Sequence, residues 1–507
     1  MYLLPILFLI AAPLLGDEGP TVTAPTVTAP TLTVSRDESK ETHHVIQLGG
    51  KELRYKATAG TLIYKNEKNE AKGEFFYTAY VKEENGSAGE EAAKRPIAFC
   101  FNGGPGSSAV WLNLGAFGPK QIVLNDLGVT PPPYNLNDNP YTLLDETDLV
   151  FIDPISTGYS RAAAGQDPKQ FHGVEEDVKS VAEFIRLYTT RNNRWSSPKF
   201  LVGESYGATR ACSLGVYLHD RLHYEINGII LISSILNYQT INEEEPGNDL
   251  SSLVFLPSFT AVAWYHQKLD PRLQKNLDTT LKEVEQFTLN EYAPALALGD
   301  LLEGDKKKGI IDKLSFYTAL SPEFIEKSNL RICQPRFSKE LLRDKSRLVG
   351  RFDARYLGID PAICGEGPSY DPSLDALLGP FTAAFNSYAR NDLKLEMDNE
   401  YVVLANVWPW DFGKDSFKSL NITENLKILL SKNPRLKIYV ASGYFDLATP
   451  YFGTLFTFRH LALDPTLRKN IQMGFYPSGH MVYLHQPSLQ KLKSELSQFM
   501  RSTINIP

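Results

Sequence analysis

A series of short apolar runs, most of them ending at or just before Gly, Asp, Asn or Ser, most constrains the fold of this chain. These runs are Ile97–Phe101, Leu149–Asp153, Phe200–Gly203, Gly228–Ile232, Lys437–Ala441 and Ile471–Phe475. Short β-rich runs of this kind are typical of buried parallel strands. Helical patterns separate several of them, one with Val174, Val178, Val181, Ile185 and Tyr188 on a single face. Strands that alternate with helices predict an α/β fold with a mostly parallel central sheet.

The strand pattern is interrupted between about residues 245 and 425, where the chain is helix-rich with charge runs and many aromatic residues. We therefore predict an α/β domain in two parts, residues 41–245 and 426–507, split by a helical cap inserted at 246–425. Such a cap would lie at the carboxyl edge of the sheet, where α/β proteins bind ligands. A separate domain of unrelated function is the alternative. Residues 43–82 alternate apolar and polar side chains and predict antiparallel strands.

The N-terminal segment predicts export. Residues 2–15 are apolar but too few for a membrane span of ~20 residues, so 1–16 are interpreted as a signal peptide. The alternative is an apolar N-terminal strand, because no Lys or Arg precedes Arg36. Residues 17–40 include a Thr/Pro/Ala repeat and are predicted to be a solvated linker. The expected location is periplasmic or extracellular (the secretory lumen in a eukaryote), with no stable membrane span after cleavage.

Composition excludes several classes of protein. The formal net charge of −7 leaves no basic surplus for a dedicated nucleic-acid binder. The 4 cysteines are too few for a disulfide scaffold and lack the CxxC spacing of structural zinc sites, and the sequence predicts no metal or cofactor. Export would permit a disulfide, for which Cys333 and Cys364 are the best pair. Cys100 and Cys212 lie in apolar contexts that favour buried thiols.

Gly203-Glu204-Ser205-Tyr206-Gly207 joins a predicted strand to a helical pattern. In this G-x-S-x-G context the turn holds the serine hydroxyl above the sheet as a nucleophile. A serine nucleophile needs a base that is oriented by an acid. Asp446 and His480 each follow a later predicted strand in the required order, whereas His219, His223, His266, His460 and His485 lack a strand-end context. The sequence therefore predicts Ser205, Asp446 and His480 as a catalytic triad.

The glycine-rich segment 102–108 follows the strand Ile97–Phe101. A phosphate-binding loop is excluded because no Gly-Lys-Ser/Thr follows it. Glycines at this place let backbone N–H groups approach a developing oxyanion. The expected donors are the N–H groups of Gly104 and of Tyr206, the residue after the nucleophile.

With these segments assembled, the chain resembles the serine carboxypeptidases, a family of α/β-hydrolases, from about Pro96 to its C-terminus. The segment FNGGPGSS is similar to the family's N-G-G-P-G-[CS]-S loop. The segment NPYTLLDETDLVFIDPISTGYS is similar to its Asn-Pro segment followed by D-x-P-x-G-x-G-[FY]-S. The family's serine, aspartate and histidine motifs resemble GESYG, GYFDLATP and GHMV, respectively. The resemblance implies release of C-terminal residues from peptides, favoured at acidic pH. It also implies that Asn102, Gly103 and Glu204 bind the substrate carboxylate. A solvated or cap-contacting Glu204 is the alternative.

Several positions depart from the family pattern. The second Glu of the carboxylate site corresponds to Ala116, and other changes place Cys100, Ser107, Thr449 and Tyr483 where the family has Trp, Cys, Cys and Pro. Candidates for lining the substrate pocket are Tyr206 and Met481, which flank the catalytic residues, and the pair Trp408 and Trp410. For the two tryptophans, packing of the cap onto the sheet is the alternative.

The leading hypothesis is therefore an exported serine carboxypeptidase acting on peptides with a free C-terminus. An esterase or acyltransferase that uses the same triad is the second hypothesis, supported by the loss of the paired Glu at Ala116. A non-catalytic exported binding protein is the third.

Overall fold

The computed structural model describes residues 37–83, 93–243, 245–414 and 420–504. The predicted signal peptide and most of the predicted linker lie outside these residues. The first strand begins at Ser39, inside the end of the predicted linker.

A single large sheet organises the chain. Its strands are β1 (Ser39–Leu48), β2 (Lys51–Lys65), β3 (Ala71–Lys82), β4 (Ile97–Phe101), β7 (Asp148–Ile152), β8 (Arg161–Ala162), β9 (Lys199–Glu204), β10 (Gly228–Ile232), β13 (Lys437–Gly443) and β14 (Ile471–Tyr476). Two small antiparallel pairs lie outside it, β5 (Lys120–Ile122) with β6 (Leu136–Asp138) and β11 (Arg347–Val349) with β12 (Leu357–Ile359).

The strand order is β1-β2-β3-β7-β4-β9-β10-β13-β14, with β8 paired to β3. From β7 to β14 every neighbouring pair is parallel. The strands β1, β2 and β3 are antiparallel to one another, and β3 is antiparallel to β7. The predicted α/β-hydrolase fold with a mostly parallel central sheet is confirmed, and the ends of the six predicted parallel strands differ from the observed ones by at most two residues.

The helices in chain order are α1 (Val174–Arg191), α2 (Tyr206–Leu222), α3 (Leu250–Tyr265), α4 (Leu277–Phe287), α5 (Ala293–Leu298), α6 (Gly304–Thr318), α7 (Pro322–Lys327), α8 (Gln334–Glu340), α9 (Pro372–Asn391), α10 (Thr423–Lys432), α11 (Tyr451–Arg459), α12 (Pro465–Arg468) and α13 (Gln486–Ile504). A buried π-helical turn, Trp111–Phe117, follows the glycine-rich segment. The helices α3 to α9 all lie between β10 and β13.

Apolar cores cover both faces of the sheet. Alternation along β4 sends Ala98 and Cys100 to one core and Ile97, Phe99 and Phe101 to the other, as the period of a strand requires. A third core joins helices between β10 and β13 to Phe445 and Leu447, the two neighbours of Asp446, and to Phe452 of α11. The region between β10 and β13 therefore packs against the end of the sheet where β13 and β14 finish.

Candidate active site

Ser205 lies in a tight turn between β9 and α2. Its backbone has φ 59° and ψ −126°, a conformation that non-glycine residues rarely adopt. Its N–H donates to the carbonyl oxygen of Ile232 at the end of β10 (2.9 Å). A Cβ added at Gly203 would lie 2.1 Å from the Gly207 carbonyl oxygen, and one at Gly207 would lie 2.8 Å from that of Phe101. The two glycines of the pentapeptide are thus required for this turn to close.

Asp446 and His480 come together beyond the ends of β13 and β14. His480 Nδ1 lies 2.8 Å from Asp446 Oδ2. The N–H groups of Ala448 and Thr449 donate to Asp446 Oδ1 at 2.7 and 2.9 Å. The Thr449 hydroxyl donates to Asp446 Oδ2 at 2.7 Å. The carboxylate is therefore fixed at both oxygens, and it in turn fixes the imidazole.

Thr449 is a site residue that sequence reasoning noted only as a departure from the family. The hydroxyl lies 3.2 Å from His480 Nδ1 as well as beside Asp446. Its position within the aspartate motif is the signal that points to this contact, because a residue three positions after the carboxylate can turn back to it.

His480 is fully buried, and two opposing effects set its pKa. Burial favours the neutral ring and lowers the pKa, but the negative charge of Asp446 and, less strongly, Glu204 outweigh it, so the pKa is raised. His480 Nε2 is buried and makes no hydrogen bond among the described residues. In unliganded enzymes the contact between base and nucleophile often tightens only when substrate binds. Nε2 is thus the nitrogen available to exchange a proton.

The glycine-rich segment packs directly on the serine turn. A Cβ added at Gly103 would lie 2.5 Å from the Tyr206 backbone nitrogen and 2.6 Å from the Glu204 carbonyl oxygen. Gly104 has φ 100°, which favours glycine. The two segments that carry the predicted oxyanion donors, Gly104 and Tyr206, are therefore in contact.

Asn102 and Glu204 lie buried beside the serine turn, and Glu204 is near enough to His480 for their charges to interact. Asn102 Oδ1 accepts from the Leu112 N–H at 3.2 Å, whereas Asn102 Nδ2 and Glu204 Oε2 make no hydrogen bond among the described residues. Burial raises the pKa of Glu204 to about 7, against the opposing effect of His480 and of the Tyr483 and Asn102 side chains. Glu204 is therefore largely protonated, and able to donate, at pH values well below 7.

The candidate pocket residues differ in their surroundings. Met481 is 7% exposed and Trp410 is 8% exposed, whereas Trp408 is 45% exposed. The Trp410 ring contacts that of Tyr206 edge to face, with centroids 5.4 Å apart. Trp410 is therefore next to the serine turn, and packing accounts for it at least as well as contact with substrate does.

The predicted disulfide is wrong. All four cysteines are free thiols, Cys100 and Cys212 buried as predicted, Cys333 half-buried and Cys364 exposed. Both Cys333 and Cys364 lie in the loop-rich part of the chain, and proximity along such a segment does not by itself provide the Cβ geometry that a disulfide needs.

None of the helices that the structure describes is both long and apolar enough to cross a bilayer. Across the described ranges, no three His, Cys, Asp or Glu side chains are grouped so that they could hold a metal ion.

The sequence profile described as "Serine carboxypeptidase" matches residues 50–349. The chain belongs to the serine carboxypeptidase family. Among its curated relatives, serine carboxypeptidase-like 26 of Arabidopsis thaliana is 23% identical over 386 residues, which is 74% of this chain and 72% of the relative. Serine carboxypeptidase-like 51 of the same plant is 31% identical over 144 residues, but this match covers only 27% of the chain and 29% of the relative.

The family assignment agrees with the fold. The crystal structure of Kex1(delta)p, a prohormone-processing carboxypeptidase from Saccharomyces cerevisiae, superimposes with a TM-score of 0.52 and 16% identity. The superposition covers 88% of this chain and 91% of that one. At this identity the likeness supports a shared fold, and the activity of this member of the family has to be argued from its own residues.

Proposed function

We propose that this protein is a serine-type carboxypeptidase that releases C-terminal residues from peptides. The observation that carries the proposal is the buried pair Asn102 and Glu204 beside His480, because each presents an unpaired polar atom next to the triad. An amide and a protonated carboxyl can both donate to the terminal carboxylate of a peptide. Membership of the serine carboxypeptidase family supports the same activity.

In the first half of the reaction, Ser205 Oγ attacks the carbonyl carbon of the last peptide bond and gives its proton to His480 Nε2. The N–H groups of Gly104 and Tyr206 stabilise the oxyanion of the tetrahedral intermediate. The C–N bond then breaks, and His480 passes the proton to the leaving amino group. Asp446 stays ionised and holds the imidazole in place throughout.

In the second half, water attacks the acyl-enzyme ester while His480 Nε2 takes a proton from it. The tetrahedral intermediate collapses, the bond to Ser205 Oγ breaks, and His480 returns the proton to that oxygen. The shortened peptide leaves as a carboxylic acid. No cofactor enters this sequence of steps.

Glu204 gives the proposed activity its preference for acidic pH. The terminal carboxylate of a peptide is negatively charged, so an ionised Glu204 would repel it and could not donate to it. Because the pKa of Glu204 is raised to about 7, affinity for peptides is expected to fall as the pH rises through this region.

We also propose that the protein is exported to the periplasm or the extracellular space, with residues 1–16 as its signal peptide and 246–425 as a cap over the site.

One observation favours a second function, an esterase or acyltransferase on the same triad. Ala116 is buried and apolar where the resemblance places a second Glu, so recognition of a carboxylate lacks one expected partner. The third hypothesis, a non-catalytic binding protein, predicts that Ser205 does not react with fluorophosphonates.

These functions are separated by a matched pair of peptides of one sequence, with a free or an amidated C-terminus, digested at pH 4 to 8 and followed by mass spectrometry. We expect release of the last residue from the free peptide only, and no release with Ser205→Ala. Equal cleavage of both peptides would exclude the carboxypeptidase. A wild-type protein that a fluorophosphonate fails to label would exclude all catalysis through Ser205.

A further inference from the structure

Tyr483 is a fully buried side chain that the proposed mechanism leaves without a role. It lies three residues after His480, in the short turn Val482–Leu484, and its exposed fraction is 0%. A Cβ added at Gly115 would lie 2.8 Å from Tyr483 Cε2, so the edge of the ring that carries Cδ2 and Cε2 packs closely against this glycine. Gly115 is the residue before Ala116 in the π-helical turn. Tyr483 is therefore seated beside the position where the family's second Glu is missing.

The Tyr483 hydroxyl belongs to a group of buried polar atoms that lack partners. The hydroxyl, Asn102 Nδ2, Glu204 Oε2 and His480 Nε2 make no hydrogen bond of ordinary geometry among the described residues. The hydroxyl nevertheless interacts loosely with the side chains of Glu204 and Asn102, each of which acts on its pKa as a hydrogen-bond partner. Buried polar atoms are almost always paired, and each unpaired one costs about 1–3 kcal/mol. Because these groups lie beside the serine turn, they are in position to pair with the polar atoms of a bound ligand.

The chemistry of the group defines that ligand. The amide of Asn102 and the hydroxyl of Tyr483 can donate, and Glu204 can donate when protonated. Three converging donors suit an acceptor with two oxygens and a negative charge, which is a carboxylate. The titratable groups around it are Glu204, His480 and Asp446, of which Glu204 acts on the pKa of Tyr483.

We propose that Tyr483 is a substrate-binding residue whose hydroxyl donates a hydrogen bond to the C-terminal carboxylate of the peptide. It would do so beside Ala116, which stands where the family has its second Glu. This inference rests on the proposed carboxypeptidase function and assigns to it a residue outside the family pattern. A phenol carries its proton at neutral pH, so it can donate a hydrogen bond where a carboxyl group is ionised and cannot. Burial raises the pKa of Tyr483 well above its ordinary value, so its hydroxyl remains a donor at every pH at which Glu204 titrates.

The test is Tyr483→Phe, which keeps the ring against Gly115 and removes only the hydroxyl. Two substrates are compared at pH 5: an N-blocked dipeptide with a free C-terminus, and the methyl ester of its acyl residue, which carries no terminal carboxylate. For the dipeptide we expect KM to rise ~10-fold with little change in kcat, the effect of losing one hydrogen bond to a charged group. For the ester we expect kcat/KM to stay within about twofold, since it makes no use of that bond.

Tyr388→Phe is the matched control. Tyr388 is a buried tyrosine of the same core, 1% exposed, whose hydroxyl lies near Tyr80 and Tyr55 instead of the triad. We expect its kinetics on both substrates to equal those of the wild type. A Tyr483→Phe protein with unchanged KM for the dipeptide, or with the same loss on dipeptide and ester, would overturn the role of Tyr483 alone. A wild-type protein that hydrolyses the ester but not the dipeptide would overturn the proposed function and this inference with it.

Discussion

Glu204 shows how one buried side chain can set a pH dependence. It is 3% exposed at the end of β9, and its pKa rises to about 7 chiefly because burial penalises the charged form. Its negative charge, once formed, also helps to raise the pKa of the buried His480. The two groups therefore titrate as a coupled pair, and the pH profile belongs to both of them.

Replacing Glu204 with Gln is expected to remove the rise of peptide KM that accompanies increasing pH. An amide donates at any pH, so KM of Glu204→Gln should be nearly constant from pH 5 to 8, whereas KM of the wild type should increase above pH ~6. Initial rates on a peptide with a free C-terminus measure this. An unchanged pH profile of KM in the variant would exclude Glu204 as the partner of the carboxylate.

The same shift predicts how stability changes with pH. The folded-state pKa of Glu204 lies above the ordinary value of 4.5, so the folded protein holds this proton more tightly than the unfolded chain does. This contribution to stability is complete below the unfolded pKa and is lost as pH rises through about 7. Between pH 4 and 8, the free energy of unfolding measured in urea should fall by on the order of 3 kcal/mol more for the wild type than for Glu204→Gln. Ser205→Ala should lose as much as the wild type, because Glu204 stays buried in it.

At the scale of elements, a buried ion pair holds the serine turn against the glycine-rich segment. Arg210 of α2 donates to Asp177 of α1 at 2.8 Å and to the Asn102 carbonyl oxygen at 2.6 Å. The Tyr206 hydroxyl donates to the same Asp177 carboxylate at 3.1 Å. Arg210 is 1% exposed and also lies over the rings of Phe101 and Tyr206. One guanidinium thus joins two helices to the loop that carries the predicted oxyanion donor.

We expect Arg210→Met to destabilise the protein by about 3–5 kcal/mol, because it leaves the buried Asp177 carboxylate without a positive charge beside it and with only the Tyr206 hydroxyl donating to it. The double variant Asp177→Leu with Arg210→Met should recover most of this loss, since it leaves no buried charge. Both should hydrolyse ester and peptide more slowly in parallel, as misplacement of the Asn102 segment affects every substrate. Chemical denaturation and steady-state rates measure the two effects. Equal stability of the single variant and the wild type would contradict this role.

At the scale of the whole molecule, residues far apart in the chain complete the histidine site. The His480 N–H donates to the Phe352 carbonyl oxygen at 2.6 Å, and the two rings are 4.8 Å apart. Arg355 donates to Asp353 at 2.6 Å and to the Pro477 carbonyl oxygen at 3.2 Å. The region between β10 and β13 is therefore a structural support of the segment that carries His480.

A pair of arginines in that region tests this support. Arg355→Met leaves the buried Asp353 carboxylate next to Gly479 without its guanidinium partner, and we expect the free energy of unfolding to fall by about 3–5 kcal/mol together with slower fluorophosphonate labelling of Ser205. Arg336→Met removes an exposed ion pair with Glu366, whose side chains are 44% and 84% exposed, respectively. It should lower the free energy of unfolding by at most about 1 kcal/mol and leave the labelling rate unchanged. Similar unfolding curves and labelling rates for the two variants would show that the region does not hold the histidine.

Sequence patterns predicted most of the central sheet, because strands buried on both faces must be continuous apolar runs whatever surrounds them. The ends of these strands, and with them the segments that carry Ser205, Asp446 and His480, could be located in the same way. The contacts of Thr449, Arg210 and Phe352 could not, since each depends on which segments pack together. The Cys333–Cys364 prediction failed for the same reason, as closeness along the chain does not fix Cβ geometry.

The sequence by itself determined the α/β fold, the family and the order of the candidate triad, because these follow from local periodicity and from short motifs. The tertiary structure decided how the buried groups interact. Only packing shows that Glu204 is desolvated, that Thr449 helps to hold Asp446, and that Tyr483 lies on Gly115 with its hydroxyl toward Glu204 and Asn102. The reason is physical: periodicity is a property of neighbouring residues, whereas desolvation and hydrogen bonding depend on side chains that the fold brings together from distant parts of the chain.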